Sequence, residues 1–137
     1  MKVLLTNPTS NQNSKNLGLA LLQSRRLEKY VTTIHFNTKK FYFKILPKFL
    51  KNELRKRDFS LFGSKIISST PLKEIIRVFL IKLKINKIPN VLNDKQIFID
   101  VDKFSAKYIN SNITHVYSYQ NCALKTFLKA KQIKIKR

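Results

Sequence analysis

Glycine is scarce in this sequence, and its scarcity excludes several kinds of nucleotide-binding site. The 137 residues contain two glycines, Gly18 and Gly63, which lie far apart along the chain. A dinucleotide-binding G-x-G-x-x-G turn or a phosphate-cradling P-loop needs at least two glycines within one short loop. We therefore expect neither site, and no cofactor.

Cysteine, histidine and acidic residues are also few. The single cysteine, Cys122, excludes an internal disulfide and is typical of a reducing compartment. His35, His115 and the seven acidic residues show no metal-ligand spacing, and no carboxylate pair indicates glycoside hydrolysis. Cys122 precedes a predicted helix, whose N-terminus can lower a thiol pKa. Since no histidine partner is evident, we interpret Cys122 as a small apolar core residue.

Long apolar runs are absent. The N-terminal MKVLLTNP has three apolar residues in a row, too few for the core of a signal peptide. The richest segment, IIRVFLIKLKI, is interrupted by Arg77, Lys82 and Lys84 and falls short of the roughly 18 residues that span a bilayer. We expect a cytoplasmic protein, and contact with the inner face of the cell membrane remains open.

Negative charge is scarce too. The chain has 28 Lys and Arg against 7 Asp and Glu, for a net charge of +21. Such an excess is typical of proteins that bind nucleic acid or anionic membranes. An AT-rich coding sequence, which favours Lys, Ile and Asn together, produces the same excess without selection for charge. Both interpretations remain open.

Short apolar or β-branched strands alternate with segments of helical apolar spacing. This alternation predicts one α/β domain with a mostly parallel sheet flanked by helices, and the length is too short for two domains. The predicted strands are Val3–Leu5, Tyr30–Phe36, Lys65–Ser68 and Ile113–Tyr119. The predicted helices begin near Lys15, Pro47, Pro71, Asn93 and Asn121.

Apolar spacing also predicts which side of each helix packs inward, and polar residues predict the caps. Asn13 or Ser14 is expected to cap the first helix, and Asn121 the last. The expected inner residues after Pro71 are Leu72, Ile75, Ile76, Phe79, Leu80 and Leu83, and in the last helix Ala123, Leu124, Phe127 and Leu128.

Two loops are candidates for ligand binding, because ligands bind outside the carboxyl ends of the strands of an open parallel sheet. Their amide and hydroxyl groups suit sugar hydroxyls or phosphate oxygens, although the same residue types are also ordinary turn and capping residues. The candidates are Asn7, Thr9, Ser10 and Asn11 in the first loop, and Tyr119, Gln120 and Asn121 in the second.

The segment 39–59 mixes Lys and Arg with aromatic residues. We interpret it first as a solvated helix over a small aromatic cluster, second as a surface that lies on an anionic membrane, and third as a site for single-stranded nucleic acid. The candidate anion or membrane contacts are Lys48, Lys51, Arg55, Lys56 and Arg57.

Three segments resemble the N-terminal domain of bacterial retaining glycosyltransferases of family four, which have the GT-B architecture. These are MKVLLTNPTSNQNSKNLGLALLQSRRL, TPLKEIIRVF and THVYSYQNCALKTFLKAKQIKIK. Tyr117 and Tyr119 hold places often taken by two histidines in that family. Gln120 and Asn121 stand where an acidic residue is common.

The resemblance implies a Rossmann-like domain that binds the acceptor of a sugar transfer, either a glycan or a lipid-linked molecule. The nucleotide-sugar donor would bind to a C-terminal domain that these 137 residues do not match. We therefore expect a single incomplete domain, inactive alone, whose unpaired sheet edge favours self-association. The alternative function is that of a small basic protein that binds nucleic acid or an anionic membrane.

Overall fold

A four-stranded sheet forms the centre of the computed structural model, which describes residues 1–9, 11–85 and 87–135. All strands are parallel, and their order in the sheet is β3-β2-β1-β4. This confirms the predicted α/β fold with a Rossmann-like parallel sheet. The strands are β1 (Val3–Thr6), β2 (Leu27–Thr32), β3 (Ile66–Ser68) and β4 (His115–Ser118).

Helices occupy the connections between the strands. The short helix α2 was not predicted, whereas the other helices fall on predicted segments. The helices are α1 (Gln12–Gln23), α2 (Phe41–Ile45), α3 (Lys48–Arg55), α4 (Pro71–Lys82), α5 (Asp94–Ala106) and α6 (Leu124–Gln132). Short 3-10 turns cover Ser60–Lys65 and Asn90–Leu92.

The central strand β1 is buried along its whole length and divides the core into two layers. Because neighbouring strand residues point to opposite faces, Leu4 and Leu5 enter different clusters. Leu4 packs with residues of α5 and α6, among them Val101 and Ala130. Leu5 packs with Tyr30 and with residues of the Ser60–Lys65 turn and α1. The continuous apolar run at the N-terminus therefore forms a strand that is covered on both faces.

The predicted caps were wrong for both the first helix and the last. Asn11, rather than Asn13 or Ser14, caps α1, and its Oδ1 accepts a hydrogen bond from Ser14 N at 2.8 Å. At α6 the cap comes from a different helix, because the buried Asp102 of α5 accepts from Lys125 N at 2.7 Å and from Thr126 N at 2.9 Å.

The predicted inner face of α4 was also wrong, and that of α6 was right only in part, because Phe127 packs against the core. In α4 the buried residue is Glu74, while Leu72 is 68% exposed. In α6 the buried residues are Thr126 and Ala130, while Leu124 is 68% exposed. The buried Glu74 and Thr126 make polar contacts, and most of the apolar residues that the spacing identified are exposed.

Both edges of the sheet are unpaired within the described residues. The strand β3 pairs with β2 alone, and β4 pairs with β1 alone. Unpaired N–H and C=O groups along such an edge can accept a further strand. Self-association through an edge remains a prediction.

Gly18 allows α1 to pack closely on the sheet. A Cβ atom at this position would lie 2.8 Å from the ring of Phe62 and 3.0 Å from the ring of Tyr30. Both rings are buried and contact each other edge to face at 5.5 Å, so they have little room to move.

We expect Gly18→Ala to destabilise the fold. Overpacking costs about 1–3 kcal/mol, whereas replacing a helical glycine by alanine gains about 1 kcal/mol, so the expected net loss is up to about 2 kcal/mol. Urea unfolding would measure it. The exposed Gln23→Ala in the same helix serves as the control and should change stability by less than about 0.5 kcal/mol. Equal stability of the two variants would contradict the close packing.

Candidate functional site

The two candidate loops lie side by side at the carboxyl edge of the sheet. The β1–β4 register pairs Thr6 with Ser118, so Asn7 and Tyr119 follow at the same level. Tyr119 N donates to Thr6 O at 3.0 Å. Since β2 and β4 flank β1 on opposite sides, the chain connections diverge here, and this switch point is where open α/β sheets bind ligands.

Asn7 organises the first loop from a fully buried position. Its Oδ1 accepts hydrogen bonds from Thr9 N at 2.7 Å and from Thr9 Oγ1 at 2.9 Å. Its Nδ2 is buried and has no hydrogen-bond partner within the described residues. Burying an amide donor without a well-formed hydrogen bond is costly, and the Asn7 side chain still interacts with the Tyr119 phenol, whose pKa it lowers.

Tyr119 is the first residue of the second loop and is half-buried. Burial raises the pKa of its phenol, Tyr117 raises it further, and the Asn7 amide acts in the opposite direction. The two tyrosine rings contact each other edge to face with their centroids 5.6 Å apart. A neutral phenol therefore lies between the buried core and the loop tip.

The remaining candidates that the structure describes in both loops are exposed. Thr9 and Asn11 take part in turn and capping hydrogen bonds, as the alternative interpretation of these residues expected. Gln120 and Asn121 are exposed at the tip of the second loop, and Asn121 adopts a left-handed φ of 70° that asparagine tolerates. Ser10 lies outside the described residues.

A buried ion cluster beside the first loop was not anticipated from the sequence. The carboxylate of Glu74 is buried between two guanidinium groups. Its Oε1 lies 2.6 Å from Arg57 Nη2 and 2.8 Å from Arg77 Nη2, and its Oε2 accepts from Arg77 Nε at 3.0 Å. Arg77 also pairs with Asp94 at 2.8 Å. The hydrogen bonds that Arg77 donates to Glu74 raise the pKa of its guanidinium.

Arg57 is set apart from the other candidate membrane contacts. Its side chain is 18% exposed and points into the Glu74 cluster, whereas Lys48, Arg55 and Lys56 are exposed and Lys51 is half-buried on or next to α3. The i,i+3 spacing of Glu74 and Arg77 is visible in the sequence. The ion pair of Arg57 with Glu74 joins residues that are distant in sequence, so no local sequence pattern predicts it.

Three adjoining cavities form a groove along the carboxyl edge. An apolar cavity of about 230 Å³ and a polar cavity of about 190 Å³ share Arg57 and Glu74. The polar cavity shares Asp94 and Phe98 with an open depression of about 470 Å³ that reaches Asn121. The polar cavity is lined by Pro8, Thr9, Thr33, Arg57, Glu74, Arg77, Asp94, Ile97 and Phe98.

The groove has the groups of a binding site and shows no catalytic constellation among the described residues. These residues contain no cluster of three or more His, Cys, Asp or Glu that could hold a metal ion. Burial lowers the pKa of His35, whose Nδ1 lies 2.8 Å from Ser68 Oγ. Cys122 is fully buried. The arrangement can position a ligand that offers hydroxyl groups and one apolar face.

The basic segment forms a surface of its own on α2 and α3. Phe41 and Ile45 of α2 are 74% and 76% exposed, and lysines surround them in the sequence. The side chains of Tyr42, Phe49 and Leu50 lie outside the described part. In that part, no helix combines the length and the apolarity required to traverse a bilayer.

We expect Glu74→Ala to cost about 3 kcal/mol or more, because two largely buried arginines lose their shared counter-charge. Urea unfolding measures the change. Glu53→Ala is the matched control: Glu53 also contacts two basic residues, Lys56 and Lys82, but near the surface, where such pairs contribute about 1 kcal/mol or less. Similar small losses for both variants would show that the buried cluster does not stabilise the fold.

Cys122 should be unreactive in the folded protein, because burial raises its pKa to about 11. Against an unfolded pKa of about 8.5, its thiolate fraction near pH 8 falls at least about hundredfold. Alkylation by iodoacetamide should therefore be that much slower in buffer than in urea. The raised pKa stabilises the fold below the unfolded pKa, and this contribution is lost as the pH rises toward 11. Equal rates in buffer and urea would contradict the buried position.

Comparison with known proteins yields no relative: no family model, no curated protein and no solved structure matches this chain.

Proposed function

We propose that this chain is the acceptor-binding domain of a glycosyltransferase of the GT-B type. The acceptor would bind in the groove at the carboxyl edge, and a nucleotide-sugar donor would bind to a second domain. Transfer would join an acceptor hydroxyl oxygen to the anomeric carbon of the sugar, break the bond from that carbon to the nucleoside diphosphate, and release the hydroxyl proton. Without the donor domain, the described residues would bind an acceptor but not transfer sugar to it.

The observation that carries the proposal is the strand order β3-β2-β1-β4. It brings the loops after β1 and β4 together at the switch point, and both loops were candidates from sequence. These loops and the polar cavity supply hydroxyl, amide and carboxylate groups beside the ring of Phe98. Such a mixture is suited to a sugar, whose hydroxyls need several polar partners and whose carbon atoms pack on an aromatic face.

The local charge balance favours a neutral ligand. Arg57 and Arg77 are opposed by Glu74 and Asp94, so the charges of the polar cavity cancel. A site for phosphate would be expected to leave a guanidinium or several backbone N–H groups free for the anion. A neutral polyhydroxyl acceptor therefore fits this cavity better than a nucleotide does.

We expect methyl glycosides of glucose, galactose, mannose or N-acetylglucosamine to bind at the carboxyl edge. In amide NMR spectra of the full chain, at least one glycoside should shift the signals of Thr9 and Asn121. Asn121→Gly keeps the left-handed turn but removes the side-chain amide. It should weaken binding about fivefold, which corresponds to one hydrogen bond of about 1 kcal/mol.

The matched control is Asn112→Gly, an exposed turn residue that precedes β4 and so lies toward the opposite edge of the sheet. It should leave binding unchanged. Absence of shifts at the carboxyl edge for every glycoside would contradict the proposal. If, in addition, a single-stranded oligonucleotide bound with a steep salt dependence, the alternative of a basic nucleic-acid-binding protein would be favoured.

A further inference from the structure

The apolar cavity has room for an apolar ligand. Its volume is about 230 Å³, and its lining includes the ion pair of Arg57 and Glu74. Apolar cavities of about 150 Å³ stay dry and take up hydrocarbons such as benzene. The remaining lining residues are Ile34, Phe36, Leu46, Leu54, Ile75 and Val78.

This cavity adjoins the polar cavity, because Arg57 and Glu74 line both. A ligand that passes the ion pair would lie along the carboxyl edge with its polar part near Thr9 and its apolar part between α3 and α4. The ion pair of Arg57 and Glu74 lies where the apolar cavity meets the polar cavity. An amphiphilic molecule matches that sequence of surfaces, whereas a free sugar would leave the apolar part empty.

The helices that wall the apolar cavity also form the basic surface. Leu46, which follows α2, and Leu54 of α3 line the cavity. On the outside, Phe41 and Ile45 are one helical turn apart and both are more than 70% exposed. The segment 39–57 has eight Lys and Arg against one Glu, for a net charge of +7.

Exposed apolar side chains among lysines favour a membrane over a nucleic acid. Apolar residues that enter the acyl boundary, with Lys and Arg at the lipid headgroups, are typical of helices that lie on anionic bilayers. Single-stranded nucleic acid gains from aromatic stacking, which Ile45 cannot provide. An anionic membrane would attract the basic residues of this surface and bury its exposed apolar residues.

We propose that the acceptor is a membrane lipid with a sugar or other polyhydroxyl headgroup. The surface of α2 and α3 lies on an anionic bilayer, the apolar cavity takes part of the hydrocarbon chain, and the polar cavity holds the headgroup. The headgroup assignment rests on the proposed function. The membrane surface and the chain-binding cavity do not.

Vesicle flotation of the full chain tests the surface. Binding should be strong to vesicles of phosphatidylcholine mixed with phosphatidylglycerol and weak to phosphatidylcholine alone. The double variant Phe41→Ser/Ile45→Ser should reduce binding at least about tenfold. Leu124→Ser/Leu128→Ser on α6 removes comparably exposed apolar residues and should have no effect. Failure to bind anionic vesicles, or equal loss in both double variants, would overturn the membrane surface.

Octyl β-glucoside, kept below its micellar concentration, tests the cavity against methyl β-glucoside. The octyl compound should bind at least about tenfold more tightly, since a buried chain gains with each methylene. Its chain should give NOE contacts to Ile34 and Val78 in the unaltered protein. Val78→Phe fills the cavity and should remove this advantage, whereas Val91→Phe, at an exposed site, should not.

The outcomes separate the two proposals. Equal binding of both glucosides at the carboxyl edge would overturn the lipid acceptor and leave the proposed function standing. Contacts of the octyl chain with Ile34 and Val78, together with a headgroup that shifts no residue of the polar cavity, would support the chain site and contradict the proposed function. Absence of those contacts in the unaltered protein would overturn the cavity assignment even if Val78→Phe failed to fold.

Discussion

The parallel pairing of β1 with a strand on each side is the constraint on which the structure depends. It buries four consecutive residues, Val3–Thr6, and leaves their backbone groups no solvent partners. It also aligns the carboxyl ends of β2, β1 and β4. The hydrogen bonds from Asn7 N to Val31 O and from Tyr119 N to Thr6 O extend this alignment into the loops. The strand order determines where the groove lies, and the side chains determine what lines it.

Glu74 is the second determinant, and it acts at a distance from the sheet. A buried carboxylate is expensive unless it is paired, and two arginines here compensate it. In doing so it ties the segment after α3 to α4, and through Arg77 and Asp94 to the start of α5. The segment after α3, the helix α4 and the start of α5 are thereby held around the polar cavity. The groove keeps its shape because each of these charges is paired with a charge of opposite sign.

The sequence was sufficient to predict the strands and every helix except the short α2, and insufficient to predict the way the elements face one another. Apolar spacing correctly predicted the helix α4. Such spacing shows that one face of a helix is apolar, but it does not show that another element packs on that face. Leu72 is consequently exposed while Glu74 is buried. The contacts of Asp102 with Thr126 and of Arg57 with Glu74 join residues far apart in sequence. Such contacts have no periodic signature, and the polar cavity depends on one of them.

The large positive charge takes a different meaning once the residues have positions. At the carboxyl-edge groove, charges of both signs cancel, so the excess of lysine does not define the ligand that the groove accepts. An AT-rich coding bias would account for the abundance of lysine throughout the chain. It does not explain why Phe41 and Ile45 are exposed among the lysines of a segment whose inner residues wall an apolar cavity. Exposing large apolar side chains is unfavourable in water, and an apolar phase on that side of the molecule removes the penalty.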